Sequence, residues 1–198
     1  KGSSLDGWHV LGAADWSGLR RELDGWRQRV QGHFDQVFVA PQQEDEAEVT
    51  EKREDADWDA HEGNICGGQA GTGQMEITGE STVRHNSIVL GQANGSEGTV
   101  TVDGPDAQWI TAANTDKDLV IGALGKGRLN ILNGASVTSR FGRIADSRVT
   151  EAIASEGTVL IEGAGSSWSF KEDAFELAIG DEGTGKVVLR DGGHLDVP

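Results

Sequence analysis

Five times between residue 73 and the C-terminus, a glycine is followed by two apolar residues in alternation, and in most cases by a second glycine. The segments are Gly73-Gln-Met75-Glu-Ile77-Thr-Gly79, Gly98-Thr-Val100-Thr-Val102-Asp-Gly104, Gly127-Arg-Leu129-Asn-Ile131, Gly157-Thr-Val159-Leu-Ile161-Glu-Gly163 and Gly185-Lys-Val187-Val-Leu189-Arg-Asp-Gly192. Their first apolar positions, 75, 100, 129, 159 and 187, are separated by 25, 29, 30 and 28 residues. A period in that range is the signature of a solenoid or array. Each unit has too few apolar residues to enclose a core alone, so its strands must stack on the neighbouring units.

Two further strand positions recur in each unit. The second carries Val83, Trp109, Val137, Trp168 and Leu195. The third reads Ile88-Val-Leu90-Gly91, Leu119-Val-Ile121-Gly122 and Leu177-Ala-Ile179-Gly180, with Ile65 a remnant of an earlier copy. Arg143-Ile144-Ala145 fills that place in the fourth unit, followed by an insertion over about 146–155. Alternation puts Leu119 and Ile121 on one face, and likewise Leu177 and Ile179, as period 2 requires. Three short strands per turn with glycine corners describe a parallel β-helix, a mainly β fold. Five turns at a rung spacing of ~4.8 Å give a column near ~24 Å tall. Met75, Val100, Leu129, Val159 and Val187 are expected to lie one above another. A right-handed coil is expected, because parallel crossovers are almost always right-handed.

Composition suits this architecture. Hydrophobic residues make up only 36% of the 198 residues, there are 29 glycines and there is no tyrosine. A narrow core column needs few apolar residues, and glycine turns the chain at each corner. The formal charge of -16 repels nucleic acid and anionic membrane, and its plainest use is solubility. Cys66 is the single cysteine, so an intramolecular disulfide and a cysteine-based zinc site are excluded. In Ile65-Cys66-Gly67-Gly68 it reads as a small side chain at a strand end, not as a nucleophile. No run is long and apolar enough to span a membrane. No signal peptide is visible and the chain starts at Lys1, so a mature product or an excised piece is expected.

Before the repeats, two other segments are distinguished. Over 1–41, Trp16, Leu19, Leu23, Trp26, Val30, Phe34 and Val37 recur at steps of three and four, a stripe that predicts a helix over about 15–36. Asp15 or Ser17 is placed to cap its start. Gly18, Gly25 and Gly32 each weaken it by about 1 kcal/mol relative to alanine, so the helix needs a packing partner. Its expected role is to cap the open end of the solenoid, with a partner-binding helix as the alternative. Phe38-Val39-Ala40-Pro41 reads as a short extended exit. Residues 42–62 hold ten acids against two bases, a net of -8, and read as a solvated acidic linker. The run lacks the Asp-x-Asp-x-Asp-Gly pattern of a calcium loop.

The run from Glu156 to Trp168, ending Gly163-Ala-Gly-Ser-Ser-Trp168, followed by Leu177 to Gly193, resembles the autotransporter and PEP-CTERM-associated repeat. The two half-motifs of that repeat alternate: one ends Gly-x-Gly-Ser-x-Trp, the other Gly-Gly-x-Val. Trp109 and Trp168, 59 residues apart, mark the first kind; Gly134-Ala-Ser-Val137 and Gly192-Gly-His-Leu195 mark the second. The match covers about 130 of the 198 residues and none of the first 62. Gly104-Pro-Asp-Ala-Gln-Trp109 departs from it by lacking the Gly-Ser pair, and the fourth unit by its insertion. The resemblance implies a secreted or surface-displayed bacterial passenger region, exported through an outer-membrane barrel that this chain does not contain. A single cysteine suits passage through the periplasm.

Glycan-cleaving enzymes also use β-helices, so acidic clusters on the lateral faces are candidate catalytic groups. The candidates are Asp103, Asp106, Asp116, Lys117 and Asp118, with Glu172 and Asp173 at the equivalent corner two turns later. Acids at corners more often form turns by hydrogen-bonding their own backbone. His9, His33, His61, His85 and His194 show no ligand spacing, and no metal or other cofactor is expected. Gly71-Thr-Gly73 and Gly183-Thr-Gly185 belong to the repeat and are poor phosphate loops. Trp109 and Trp168 either face outward, as a ladder for sugars or protein, or plug the column; burial is preferred because each ends an apolar alternation. The candidate binding residues are thus Trp109, Trp168, Asp106, Asp116 and Asp173.

These readings favour a non-enzymatic structural or adhesive passenger fragment, located outside the cell. It would bind a surface glycan, a protein or another copy of itself. The alternatives are a polysaccharide-acting enzyme and a stalk carrying a helical effector head at 1–62. End-to-end association is expected through Val187, Leu189 and Leu195 in the last turn.

Overall fold

The computed structural model describes residues 8–11, 36–39, 46–51, 57–111, 118–146, 155–171 and 176–197. Every regular element among them is a strand. Three are N-terminal: β1 (Trp8–Leu11), β2 (Gln36–Val39) and β3 (Glu46–Glu51). The middle of the chain holds β4 (Asp57–Gly67), β5 (Thr72–Thr78), β6 (Thr82–Leu90), β7 (Glu97–Asp103), β8 (Gln108–Thr111) and β9 (Asp118–Ile121). There follow β10 (Lys126–Leu132), β11 (Ser136–Ser139), β12 (Phe141–Ile144) and β13 (Glu156–Glu162). The last four are β14 (Ser167–Phe170), β15 (Glu176–Ile179), β16 (Thr184–Arg190) and β17 (His194–Asp196).

The strands form a β-solenoid. One sheet has six strands in the order β16-β13-β10-β7-β5-β3, and the other strands make an eleven-stranded sheet. All pairings are parallel, and each joins one turn to the next. Gly73 pairs with Gly98, Gly98 with Gly127, Gly127 with Gly157 and Gly157 with Gly185. The register therefore reproduces the sequence steps of 25, 29, 30 and 28 without a slip. Five rungs from β5 to β16 delimit four complete turns, where about five were expected.

In β5, β7, β10 and β13 burial alternates along the strand, with the repeat's two apolar positions inward. Met75, Val100, Leu129 and Val159 form one inward column; Ile77, Val102, Ile131 and Ile161 form the next. All eight side chains are buried. Alternation in one register is strongly specified, because a slip of one residue would turn every apolar side chain outward. The column glycines sit where side chains have no room. A Cβ at Gly157 would fall 2.3 Å from the Ile121 carbonyl oxygen, so the strand passes against the neighbouring corner backbone.

The other sheet supplies the remaining walls. Trp58, Val83, Trp109, Val137, Trp168 and Leu195 share one column by register. Val37, Ile65, Ile88, Leu119, Gly142 and Leu177 share another. Ile144 pairs with both Ile121 and Ile179, which places Arg143-Ile144-Ala145 as the third strand of its unit.

The ladders reach further toward the N-terminus than the repeats do in sequence. β3 lies inside the acidic stretch 42–62 and pairs in register with β5; β4 starts within that stretch, runs on to Gly67 and pairs with β6, with a register shift between Ala60 and Asn64. Gln36, read as the end of the helix over 15–36, and Val37, the last residue of the apolar stripe, are in β2, with Val37 at the register of Ile65. Phe38 and Val39 are extended, as expected of the exit. Residues 12–35, which carry the rest of the stripe and the proposed cap, lie outside the described residues.

Candidate functional site

Trp109 and Trp168 stand on either side of Val137 in one column, two turns apart as their 59-residue spacing requires. Both are fully buried, with 1% and 0% exposure. The inward reading holds, and a sugar-stacking ladder on these two rings does not form. The large and small residues alternate because a narrow column cannot hold an indole on every rung.

The two indoles are seated differently. Trp168 Nε1 donates to Ser139 Oγ at 2.9 Å within the core, and its ring lies against Phe170 with centroids 5.0 Å apart. Trp109 lies against His85, centroids 5.2 Å apart, and its Nε1 has no partner. His85 is fully buried, and that burial pushes its pKa down from 6.5 to about 3. The Lys171 ammonium lowers it further, while the Ser87 backbone, which favours the charged ring, does not reach hydrogen-bond geometry. The imidazole is therefore neutral at physiological pH.

Of the acidic candidates, Asp106 is exposed in the turn Gly104–Ala107, closed by the Ala107 amide donating to the Gly104 carbonyl at 3.2 Å. Asp103 Oδ1 accepts from Asn133 Nδ2 of the next turn at 2.7 Å. Both act as corner residues, and Asp106 does not join the buried tryptophans in one site. Asp116, Asp173, Lys117 and Glu172 lie outside the described residues, as does the side chain of Asp118. Among the described residues, no group of three or more His, Cys, Asp or Glu is gathered as for a metal ion. No helix among them is long and apolar enough to cross a membrane.

The surface that the architecture does build is the outer face of the six-stranded sheet. By register, Gln74, Thr99, Arg128, Thr158 and Lys186 form one outward row, and Glu76, Thr101, Asn130, Leu160 and Val188 another, polar at its first three rungs and apolar at its last two. Asn130 Nδ2 donates to Thr101 Oγ1 at 3.1 Å. A shallow groove of about 200 Å³ is lined by Gln74, Met75, Glu76, Thr99 and Thr101. Ion pairs cross rungs at the margins, Lys126 to Glu97 at 3.4 Å and Arg190 to Glu162 at 2.7 Å. The hydrogen bond from Arg190 to Glu162, and then the charge of that carboxylate, hold the guanidinium pKa above its ordinary value. The sequence signal for this face lies in the residues between the apolar ones, such as Thr99 and Thr101, which are hydroxyls and not acids.

Comparison with family profiles, curated proteins and solved structures gave no match to this chain.

Proposed function

We propose that the chain is a structural and adhesive stalk, displayed outside the cell, that binds an extended glycan or protein along the outer face of its six-stranded sheet. The observation that carries this reading is the unbroken outward row of hydroxyl, amide and charged side chains over Gln74, Thr99, Arg128 and Thr158, beside the groove at Thr99 and Thr101. Rungs at ~4.8 Å present such groups periodically, which suits a polymer lying along the axis. The repeat resemblance to autotransporter passengers is the support for the extracellular location.

The test is a glycan array probed with the full chain and with the outward double substitution T99K/T101K, against S136K/T138K on the other sheet. Loss of the hits in the first variant alone supports the reading. Equal binding by all three proteins contradicts it.

A further inference from the structure

The Ser139–Trp168 pair has an equivalent two turns earlier, and that equivalent is unsatisfied. Ser139 is at the register of Phe170, two residues past Trp168. His85 is at the register of Thr111, two residues past Trp109. In the first pair the residue one turn back accepts the indole N–H. In the second it is an imidazole, and His85 Nδ1, His85 Nε2, Trp109 Nε1 and Thr111 Oγ1 are all buried without a hydrogen-bond partner. These four atoms, on two adjacent rungs, each lose their water without a replacement, which weakens this interface of the column.

Apart from the Ser87 backbone, the groups named around His85 give its charged form no support. The adjacent β8 carries no titratable residue. On β4, Ala60 faces His85 in register, with Asp57, Asp59, His61 and Glu62 on the same strand. Arg84 neighbours it on β6, Asp118 begins β9, and Lys171 donates its ammonium hydrogen to the Thr111 carbonyl. Among the described residues the charge that acts on the ring is that of Lys171, and it is repulsive.

We propose that His85 is a proton-sensitive joint in the solenoid, whose protonation opens the β4–β6–β8 rungs while the turns around Ser139 and Trp168 stay closed. Local opening is possible because each turn contacts only its neighbours, so one interface can fail without the rest.

The direction follows from linkage. Burial holds the folded-state value near 3, below the free value of 6.5, so above pH 6.5 the joint is neutral in both states. As pH falls from 6.5 toward 3, the open form takes up the proton first and gains population. From pH 7 to pH 5 the closed-to-open ratio is expected to fall on the order of 25-fold from this residue alone.

The test is hydrogen exchange of the full chain at pH 7 and pH 5, corrected for intrinsic rates, on wild type and H85S. In wild type, protection in β4, β6 and β8 falls on acidification, while β11 and β14 keep theirs. H85S reproduces the Ser139 arrangement, so it gains protection at pH 7 and loses that differential fall. An NMR titration of His85 in wild type supplies a readout independent of the variant. An imidazole that titrates near 6.5 with protection intact overturns the proposal, as does an H85S protein with the wild-type pH response.

Discussion

Gly142 lies against the indole of Trp168. A Cβ built at position 142 would stand 2.6 Å from Cζ2 and 2.8 Å from Cη2 of that ring, and 3.2 Å from Cζ of Phe170. Gly142 occupies the column of Leu119 and Leu177, so the volume a leucine fills on the neighbouring rungs is here filled by an indole reaching back from the next turn.

Replacing Gly142 by alanine therefore forces the ring to move, and overpacking of this kind costs about 1–3 kcal/mol. The double variant G142A/W168L, which removes the far edge of the ring, is expected to lose less than the sum of the two single variants. Urea unfolding of the four proteins measures the coupling, and strict additivity would contradict the contact.

Ser139→Ala strands the Trp168 N–H in the core, at a cost of about 1–3 kcal/mol. Replacing both partners removes the stranded donor, so S139A should destabilise W168F less than it destabilises the wild type. The same urea series decides this, with the denaturant slope expected to stay constant.

How far the sequence disclosed this arrangement depends on the range of the signal. Met75, Val100, Leu129, Val159 and Val187 were legible as one column because each lies in a self-contained glycine-bounded strand, and position within the repeat sets position in the ladder. The partnership of Gly142 with Trp168 was not, since a missing side chain is explained only by a ring that arrives 26 residues later. His85 was passed over as one histidine among five without ligand spacing; its place two residues after Val83 in the alternation marks it as inward. β3 was hidden by the acidity of its segment, although Ala47 and Val49 continue the register of Gly73 and Met75. For the surface, alternation says which residues face out and nothing about what they meet.

Ile161→Ala removes a fully buried side chain from the inner column and should cost about 2–5 kcal/mol. Because neighbouring turns alone share that contact, hydrogen-exchange protection should fall mainly in β10, β13 and β16. Uniform loss from β5 to β16 would show that the column unfolds as one unit.

Arg190→Ala breaks the exposed pair with Glu162, and solvent-exposed ion pairs contribute little. The melting temperature is expected to stay unchanged, in line with a fold held by its column and not by its surface charges. A clear drop measured by calorimetry would shift that balance.

The central claim is that a parallel rung repeats at these sequence steps, and methyl-to-methyl nuclear Overhauser contacts test it most directly. With Met, Val, Leu and Ile methyls labelled, cross-peaks are expected for Met75–Val100, Val100–Leu129, Leu129–Val159 and Val159–Val187. None is expected for Val100–Val159, which stand two rungs apart at ~9.6 Å. Diagonal contacts such as Val100–Ile77 and Leu129–Val102 without the four in-register cross-peaks, as a shifted register requires, would contradict the solenoid.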